Sequence, residues 1–168
     1  MQDLTKNQVI RMMEHYGNDP QQLIAVLLDI QAASGKNCVE QKWAELAADV
    51  LKVPLSKIYD VLTFYSMFGT VPRGEFIVEI CRSTPCLFNH SEDIVRWFED
   101  AAGIKIGGTT EDGKLTLLYT SCVGACDIGP VAKIGDDVFG GLTFDKVQKL
   151  VNCCREGNRQ ELRLLCQN

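Results

Sequence analysis

The sequence predicts an α+β protein, in which a helical N-terminal half precedes a small sheet with helices packed on it. Residues 1 to about 68 place apolar side chains at helical spacing throughout. At the segment "GTVPRGE" the pattern changes to short runs rich in β-branched residues, separated by glycine-containing turns. The elements after this segment follow the order β, α, β, β, β, α, which is typical of a small sheet covered by helices.

The helical half contains several amphipathic segments. The clearest is "DPQQLIAVLLDIQAASG", in which Asp19 is the predicted N-cap, Pro20 takes the first helical position and Gly35 closes the helix. Its apolar face is formed by Leu23, Val26, Leu27 and Ile30. Two further helices are predicted in "VEQKWAELAADVLK" and "SKIYDVLTFYSMF", with Pro54 marking the break between them, and a shorter helix covers residues 5–15.

The second half alternates strands and helices. The strand "FIVEIC" is followed by a capped amphipathic helix from Ser91 to Gly103, and the strand "KLTLLYTSC" comes after a turn at Asp112-Gly113. The segments "VAKIG" and "DVFGG" are predicted to pair as a hairpin around Gly135-Asp136. A final helix, "TFDKVQKLVNCC", begins after Thr143 as its N-cap.

Composition and charge narrow the classes of function. The 168 residues carry a net charge of -5, so no basic surplus is available to bind nucleic acid. The N-terminus lacks the pattern of a secretory signal, and the apolar run "LIAVLL" is too short to span a bilayer. We therefore expect a cytoplasmic protein without membrane insertion. Eight cysteines in a reducing compartment indicate metal ligation or thiol chemistry rather than structural disulfides.

Four of the cysteines fall at the ends of the first two predicted strands. Cys81 ends "FIVEIC" and Cys86 follows five residues later, whereas Cys122 ends "KLTLLYTSC" and Cys126 follows in a glycine-rich loop. If the two strands are neighbours, their loops emerge at one edge of the sheet and the four thiols converge on rigid supports.

The spacing of these cysteines leaves several interpretations open. A thioredoxin-type dithiol requires C-x-x-C, which neither pair has. Tetrahedral zinc is compatible with the spacing, as are an iron–sulfur cluster and four buried cysteines without any metal. The surrounding glycines, Gly124 and Gly129, and the backbone around Ser83 and Thr84 favour a cluster, because backbone N–H groups stabilise its negatively charged sulfurs.

Longer stretches of the chain resemble a known family. The motifs C-x4-C and C-x3-C in "EICRSTPC" and "LYTSCVGACDIGPV", together with "IYDVLTFYSMF" and "DDVFGGLTFDKV", resemble the thioredoxin-like [2Fe–2S] ferredoxins. This family includes the small iron–sulfur (NuoE-type) subunit beside the NADH-oxidising flavoprotein of respiratory complex I. Related subunits occur in NAD-linked and electron-bifurcating hydrogenases and in formate dehydrogenases. The resemblance covers nearly the whole chain.

The resemblance implies a specific fold and site. It implies an N-terminal helical bundle over residues 1–70, a thioredoxin-like domain over residues 71–154 and a C-terminal tail over residues 155–168 as a candidate docking helix. It also implies that four residues ligate one [2Fe–2S] cluster, and these are Cys81, Cys86, Cys122 and Cys126.

The resemblance further implies that the chain transfers electrons and performs no substrate chemistry alone, so no catalytic residue is predicted on it. FMN and NAD(H) are expected on a partner flavoprotein rather than on this chain, and a further iron–sulfur or hydrogenase subunit is a second expected partner. The alternative functions are a stand-alone [2Fe–2S] carrier, a redox sensor, or a structural zinc module.

Some residues depart from the family pattern or lie outside the motif. Leu87 and Phe88 follow the second ligand, where many relatives have a histidine or another polar residue. These apolar side chains disfavour the added charge of a reduced cluster and so lower its expected reduction potential, whereas nearby Arg82 acts in the opposite direction. Four cysteines have no predicted role: Cys38, Cys153, Cys154 and Cys166. Helical spacing predicts Cys154 in the core and Cys153 on the other side of the helix, exposed or at an interface.

Overall fold

The computed structural model describes residues 4–166 and divides the chain into two units, with the boundary between Arg73 and Gly74. The change of sequence pattern at "GTVPRGE" falls at the same place. The finer division into residues 1–70, 71–154 and 155–168 stays a prediction.

The first unit contains helices and no strand within its described residues, 4–73. Its helices are α1 (Lys6–His15), α2 (Leu23–Ala33), α3 (Gln41–Leu51) and α4 (Leu55–Phe64). Thr5 begins α1 with a capping box, in which its N–H donates to the Gln8 side chain at 2.9 Å. Asp19 caps the chain as predicted, but Pro20–Gln22 first form a 3-10 turn that leads into α2. Such tight turns are frequent at helix N-termini.

The predicted apolar stripe of α2 lies in the core of this unit. Its four members are all buried: Leu23, Val26, Leu27 and Ile30. They pack with Val9 and Met13 from α1 and with Trp43 from α3. Helix α4 is shorter than the predicted segment "SKIYDVLTFYSMF", because it ends at Phe64 and Tyr65 takes an extended backbone conformation. Tyr65 is consequently exposed.

The second unit contains a mixed sheet within residues 74–166. Its strands are β1 (Phe76–Cys81), β2 (Leu115–Thr120), β3 (Ala132–Ile134) and β4 (Asp137–Phe139), in the spatial order β2-β1-β3-β4. Strands β1 and β2 run parallel, and the other two pairings are antiparallel. The predicted hairpin around Gly135-Asp136 is confirmed as β3–β4.

Helices pack against this sheet. The helices of the second unit are α5 (Thr84–Phe88), α6 (Ser91–Ala102), α7 (Phe144–Glu156) and α8 (Arg159–Cys166). Alternate residues of β1 point into a core shared with α6 and α7, which gives that face of the sheet a continuous apolar layer. Leu162 of α8 is buried in the same core. Across residues 4–166, the structure contains no helix with the length and apolarity needed to cross a membrane.

The helix α8 explains why one prediction about the cysteines is wrong. The sequence predicts Cys153 to be exposed or at an interface, but it is buried because α8 folds back against α7 and brings Glu161 to the Cys153 thiol. Cys154 lies in the core as predicted. At the other end of α8, the Cys166 thiol donates to the Val138 carbonyl of β4 at 3.2 Å.

Candidate metal centre

The topology of the sheet brings the two cysteine-bearing segments together. Cys81 is the last residue of β1 and lies opposite Thr120, the last residue of β2. Because these strands are parallel, the segments that follow them leave the sheet at one edge, as the sequence predicts. Cys122 lies two residues beyond β2, and Cys126 begins a 3-10 turn that extends to Ile128.

Cys86 lies on a short helix rather than in a loop. Helix α5 begins after Ser83 and has Pro85 in its first turn. Proline has no N–H to donate, but N–H groups of the first turn have no acceptor within the helix, so no hydrogen bond is lost. The Leu87 N–H donates to the Ser83 carbonyl at 2.9 Å and closes this turn. The helix therefore fixes the backbone on both sides of the Cys86 thiol.

Cys81 and Cys86 form the buried pair, each with 1% of its surface exposed. Burial acts to raise the pKa of the Cys81 thiol. Hydrogen bonds to its sulfur outweigh this effect and hold the pKa below its ordinary value; they come from the N–H groups of Ser83 and Val123, the Ser83 hydroxyl and the Cys86 thiol. Burial and the neighbouring Cys81 thiolate raise the pKa of Cys86. Of the two buried thiols, Cys81 therefore loses its proton more readily than Cys86.

Of the backbone N–H groups that the sequence predicts to face the sulfurs, only that of Ser83 is among the donors. Ser83 and Val123 donate to Cys81, and Val131 donates to Cys86. The glycines instead shape the loops: Gly124 has a φ of +85°, which L side chains rarely adopt. Gly129 lies against Cys86, so that a Cβ there would be 3.6 Å from the Cys86 sulfur.

Cys122 and Cys126 form the exposed pair. Their sulfur atoms are 3.9 Å apart. Two thiolates bound to one tetrahedral metal ion at about 2.3 Å lie about 3.8 Å from each other, so the observed separation fits a shared ion. The hydrogen bond to Cys122 and the negative charge of the Cys122 thiolate raise the pKa of Cys126.

The two pairs interact electrostatically. The Cys81 thiolate acts on Cys126, so the four thiols resist ionising together unless a cation compensates their charge. No three His, Cys, Asp or Glu side chains of residues 4–166 are arranged to hold a single metal ion. A lone zinc ion would need four thiols around one point, whereas a binuclear iron–sulfur cluster takes two thiols on each iron. Two pairs of thiols match the two irons of such a cluster.

Gly140 supports the exposed pair, a role that the sequence motifs do not predict. A Cβ at this position would lie 2.5 Å from the Ile128 carbonyl oxygen, closer than real Cβ atoms approach. The next residue, Gly141, donates its N–H to the same oxygen at 3.2 Å. The paired glycines after the β3–β4 hairpin were the available signal, since adjacent glycines permit close backbone approach.

Exposed apolar side chains surround the cysteine edge. Phe88 is 78% exposed, Leu87 is 49% exposed and Ile128 is 45% exposed. Each lies within two residues of a candidate ligand, Cys86 or Cys126. Exposed apolar residues gathered around a site are typical of a surface that another protein covers.

Fold and site together indicate a class: an iron–sulfur ferredoxin built on a thioredoxin-like sheet. The chain belongs to the thioredoxin-like [2Fe–2S] ferredoxin family, whose model matches residues 9–155. The resemblance of the cysteine motifs and of the flanking segments is thereby confirmed at the level of the family.

Two curated relatives extend this finding. The chain is 38% identical to the E subunit of the NADH-quinone oxidoreductase of Rickettsia felis over 129 residues, and this match covers 77% of each protein. It is 30% identical over 144 residues to the HndA subunit of the NADP-reducing hydrogenase of Solidesulfovibrio fructosivorans, which covers 86% of this chain and 83% of that subunit.

A solved structure shares the fold. The chain is similar to a crystal structure of NAD+-reducing [NiFe]-hydrogenase in the air-oxidised state, with a TM-score of 0.71 and 17% sequence identity. The match covers 83% of this chain but only 24% of that one, so this protein spans about a quarter of its structural neighbour. At this level of identity the likeness concerns the fold alone.

Proposed function

We propose that the chain is an electron-transfer subunit that holds one [2Fe–2S] cluster on Cys81, Cys86, Cys122 and Cys126. In this proposal it works beside a flavoprotein that carries FMN and NAD(H), within an NAD(P)H-linked oxidoreductase such as a hydrogenase, a formate dehydrogenase or a complex I-like assembly. The observation that supports the proposal is that β1 and β2 are parallel neighbours, so that one buried and one exposed cysteine pair follow them at one edge of the sheet.

The residues of this chain bind and insulate such a cluster, which supplies one-electron chemistry when bound. N–H groups of Ser83, Val123 and Val131 point at the buried sulfurs and offset negative charge there. The exposed thiols of Cys122 and Cys126 leave one side of the site open to a redox partner. Electrons are expected to enter or leave on that side.

The partner is proposed from the surface and from the relatives. Phe88 and the other exposed apolar residues would be covered on docking, and aromatic residues are enriched in the cores of interfaces. The names of the relatives, which belong to an NADH-quinone oxidoreductase and an NADP-reducing hydrogenase, support an NAD(P)H-linked complex. A further iron–sulfur or hydrogenase subunit is the proposed next electron carrier. Eight free cysteines support a reducing, cytoplasmic location.

Anaerobic purification tests the cluster. We expect about two irons and two acid-labile sulfides per chain, and an EPR signal after dithionite reduction. The variant Cys122→Ser should lose or strongly alter this signal. The matched control is Cys38→Ser, which replaces a buried cysteine of the helical unit and should leave the spectrum unchanged. A colourless protein that contains zinc and gives no EPR signal would contradict the proposal.

Co-expression with candidate flavoprotein subunits tests the partner. We expect a complex that contains flavin and passes electrons from NADH or NADPH to the cluster of this chain. Phe88→Ser should weaken the complex at least tenfold while the EPR spectrum of the isolated chain stays unchanged, because this side chain is solvent-exposed. A loaded chain that binds no flavoprotein would favour a free carrier or a redox sensor instead.

A further inference from the structure

Arg82 joins the two segments that carry the cysteine pairs. It follows Cys81 directly, and its N–H donates to the Thr120 carbonyl at 3.3 Å. Its guanidinium carbon lies 4.7 Å from the centre of the Tyr119 ring. Tyr119 is in turn three residues before Cys122. The stack of Arg82 on Tyr119 therefore fixes a positive charge at the sheet edge from which both cysteine segments emerge.

The charge of Arg82 is not neutralised by a carboxylate. The ion pairs formed among residues 4–166 do not include Arg82. An aromatic ring attracts a guanidinium through its electron-rich face and leaves the full positive charge in place. Across the site, Asp127 follows Cys126, and its carboxylate acts electrostatically on that thiol. One cation and one anion thus border the two cysteine pairs.

We propose that Arg82 raises the reduction potential of the [2Fe–2S] cluster and that Tyr119 is the positioning residue that holds the guanidinium in place. This proposal rests on the proposed function. Reduction by one electron, supplied by the partner flavin, adds one unit of negative charge to the site. A nearby fixed cation stabilises the reduced form more than the oxidised form, and Asp127 acts in the opposite sense.

The distance over which the charge acts makes the effect measurable but modest. Arg82 is exposed, so water and salt screen its field beyond about 8–10 Å. The stack on Tyr119 holds the charge at the end of β2, and Arg82 follows Cys81 directly, so the charge lies beside both cysteine segments. Without the Tyr119 ring the side chain is free to extend into solvent, and the average charge at the site decreases.

A redox titration of the loaded full chain, followed by EPR, tests the proposal. In Arg82→Gln, the ratio of reduced to oxidised protein at a fixed ambient potential should fall about threefold, equivalent to about 28 mV, since a tenfold ratio is 59 mV for one electron. Arg82→Lys should retain most of the wild-type potential. Tyr119→Leu should shift it in the same direction as Arg82→Gln but by less, and Asp127→Asn should raise it.

The other end of β1 offers a matched control. The Arg159 guanidinium carbon lies 4.6 Å from the centre of the Phe76 ring, and Phe76 begins the strand that Cys81 ends. The two ends of a six-residue strand are about 17 Å apart. Arg159 also pairs with Glu75 at 3.4 Å, a kind of partner that Arg82 lacks among the described residues. Arg159→Gln removes a stacked arginine far from the cysteines, so the potential of this variant should equal that of the wild type.

The outcomes separate this proposal from the proposed function. Equal shifts in Arg82→Gln and Arg159→Gln, or no shift in Arg82→Gln with a full EPR signal, overturn the role of Arg82 and leave the cluster proposal intact. A wild-type chain without an EPR signal overturns both. If Arg82→Gln does not load iron, Tyr119→Leu decides, and a wild-type potential in that variant overturns the proposal.

Discussion

The buried and exposed cysteine pairs differ in how the chain holds them. Cys81 ends a paired strand, its N–H donates to the Val131 carbonyl at 3.1 Å, and its thiol receives several hydrogen bonds. Cys122 and Cys126 lie outside the sheet and are exposed. The comparison indicates a division of roles, in which the buried pair anchors the proposed cluster and the exposed pair gives access to it.

The largest expected effect comes from replacing one cysteine in each pair. Cys86→Ser and Cys126→Ser should both lose the cluster. Only Cys86→Ser should also destabilise the metal-free protein, by about 1–3 kcal/mol, because it buries a hydroxyl in a site shaped for a thiol. Cys126→Ser should change that free energy of unfolding by less than about 0.5 kcal/mol. Urea denaturation of the metal-free variants measures the difference.

Equal destabilisation by the two serine variants would contradict the division of roles between the pairs. Cys38→Ser serves as a reference for replacing a buried cysteine away from the site. It should affect stability without affecting the amount of cluster that binds.

Gly140→Ala should damage the exposed pair from outside it. The added Cβ would collide with the Ile128 carbonyl and displace the turn that begins at Cys126. We expect a several-fold lower iron content after reconstitution and a loss of about 1–3 kcal/mol in stability. Iron analysis and urea denaturation check both quantities.

Gly113→Ala is the control for Gly140→Ala. Position 113 also favours glycine, with a φ of +66°, but a Cβ there meets no atom within 4 Å. It lies in the turn before β2, at the opposite end of that strand from the cysteines. Gly113→Ala should therefore reduce stability through backbone strain while the iron content stays at the wild-type level. Similar iron losses in both variants would show that the Gly140 effect is only general destabilisation.

The sequence predicts those parts of the site that depend on local pattern. Short runs rich in β-branched residues and the turns beside them identify β1 and β2, and the sequence predicts that Cys81 and Cys122 share one edge if these strands are neighbours. The structure pairs the strands in parallel, which meets that condition. Helix α5 was missed because a helix of five residues is too short to show a 3.6-residue period. The contact of Gly140 with Ile128 joins distant segments, which periodicity cannot reveal.

Cys153 illustrates the same limit in the core of the second unit. Its position on α7 predicts an exposed side chain if α7 is considered alone. The burial arises from α8, which returns through the turn at Gly157, where φ is +70°. Tertiary packing of a terminal helix therefore overrides the pattern of the helix that it covers.

The pH dependence of stability distinguishes the buried thiol of Cys154 from the thiols of the cysteine site. Burial raises the pKa of Cys154 from its ordinary value of 9.0 to about 12. Above pH 9 the unfolded chain releases the thiol proton while the folded chain retains it, so stability falls as pH rises toward 12. The slope is about 1.4 kcal/mol per pH unit. Cys154→Ala lacks this thiol, so the stability difference between wild type and variant should shrink from pH 9 to pH 11 in urea denaturation. If the stability difference between wild type and Cys154→Ala stays constant across this range, the Cys154 thiol ionises equally in the folded and unfolded chains. Burial would then not distinguish this thiol from those of the cysteine site.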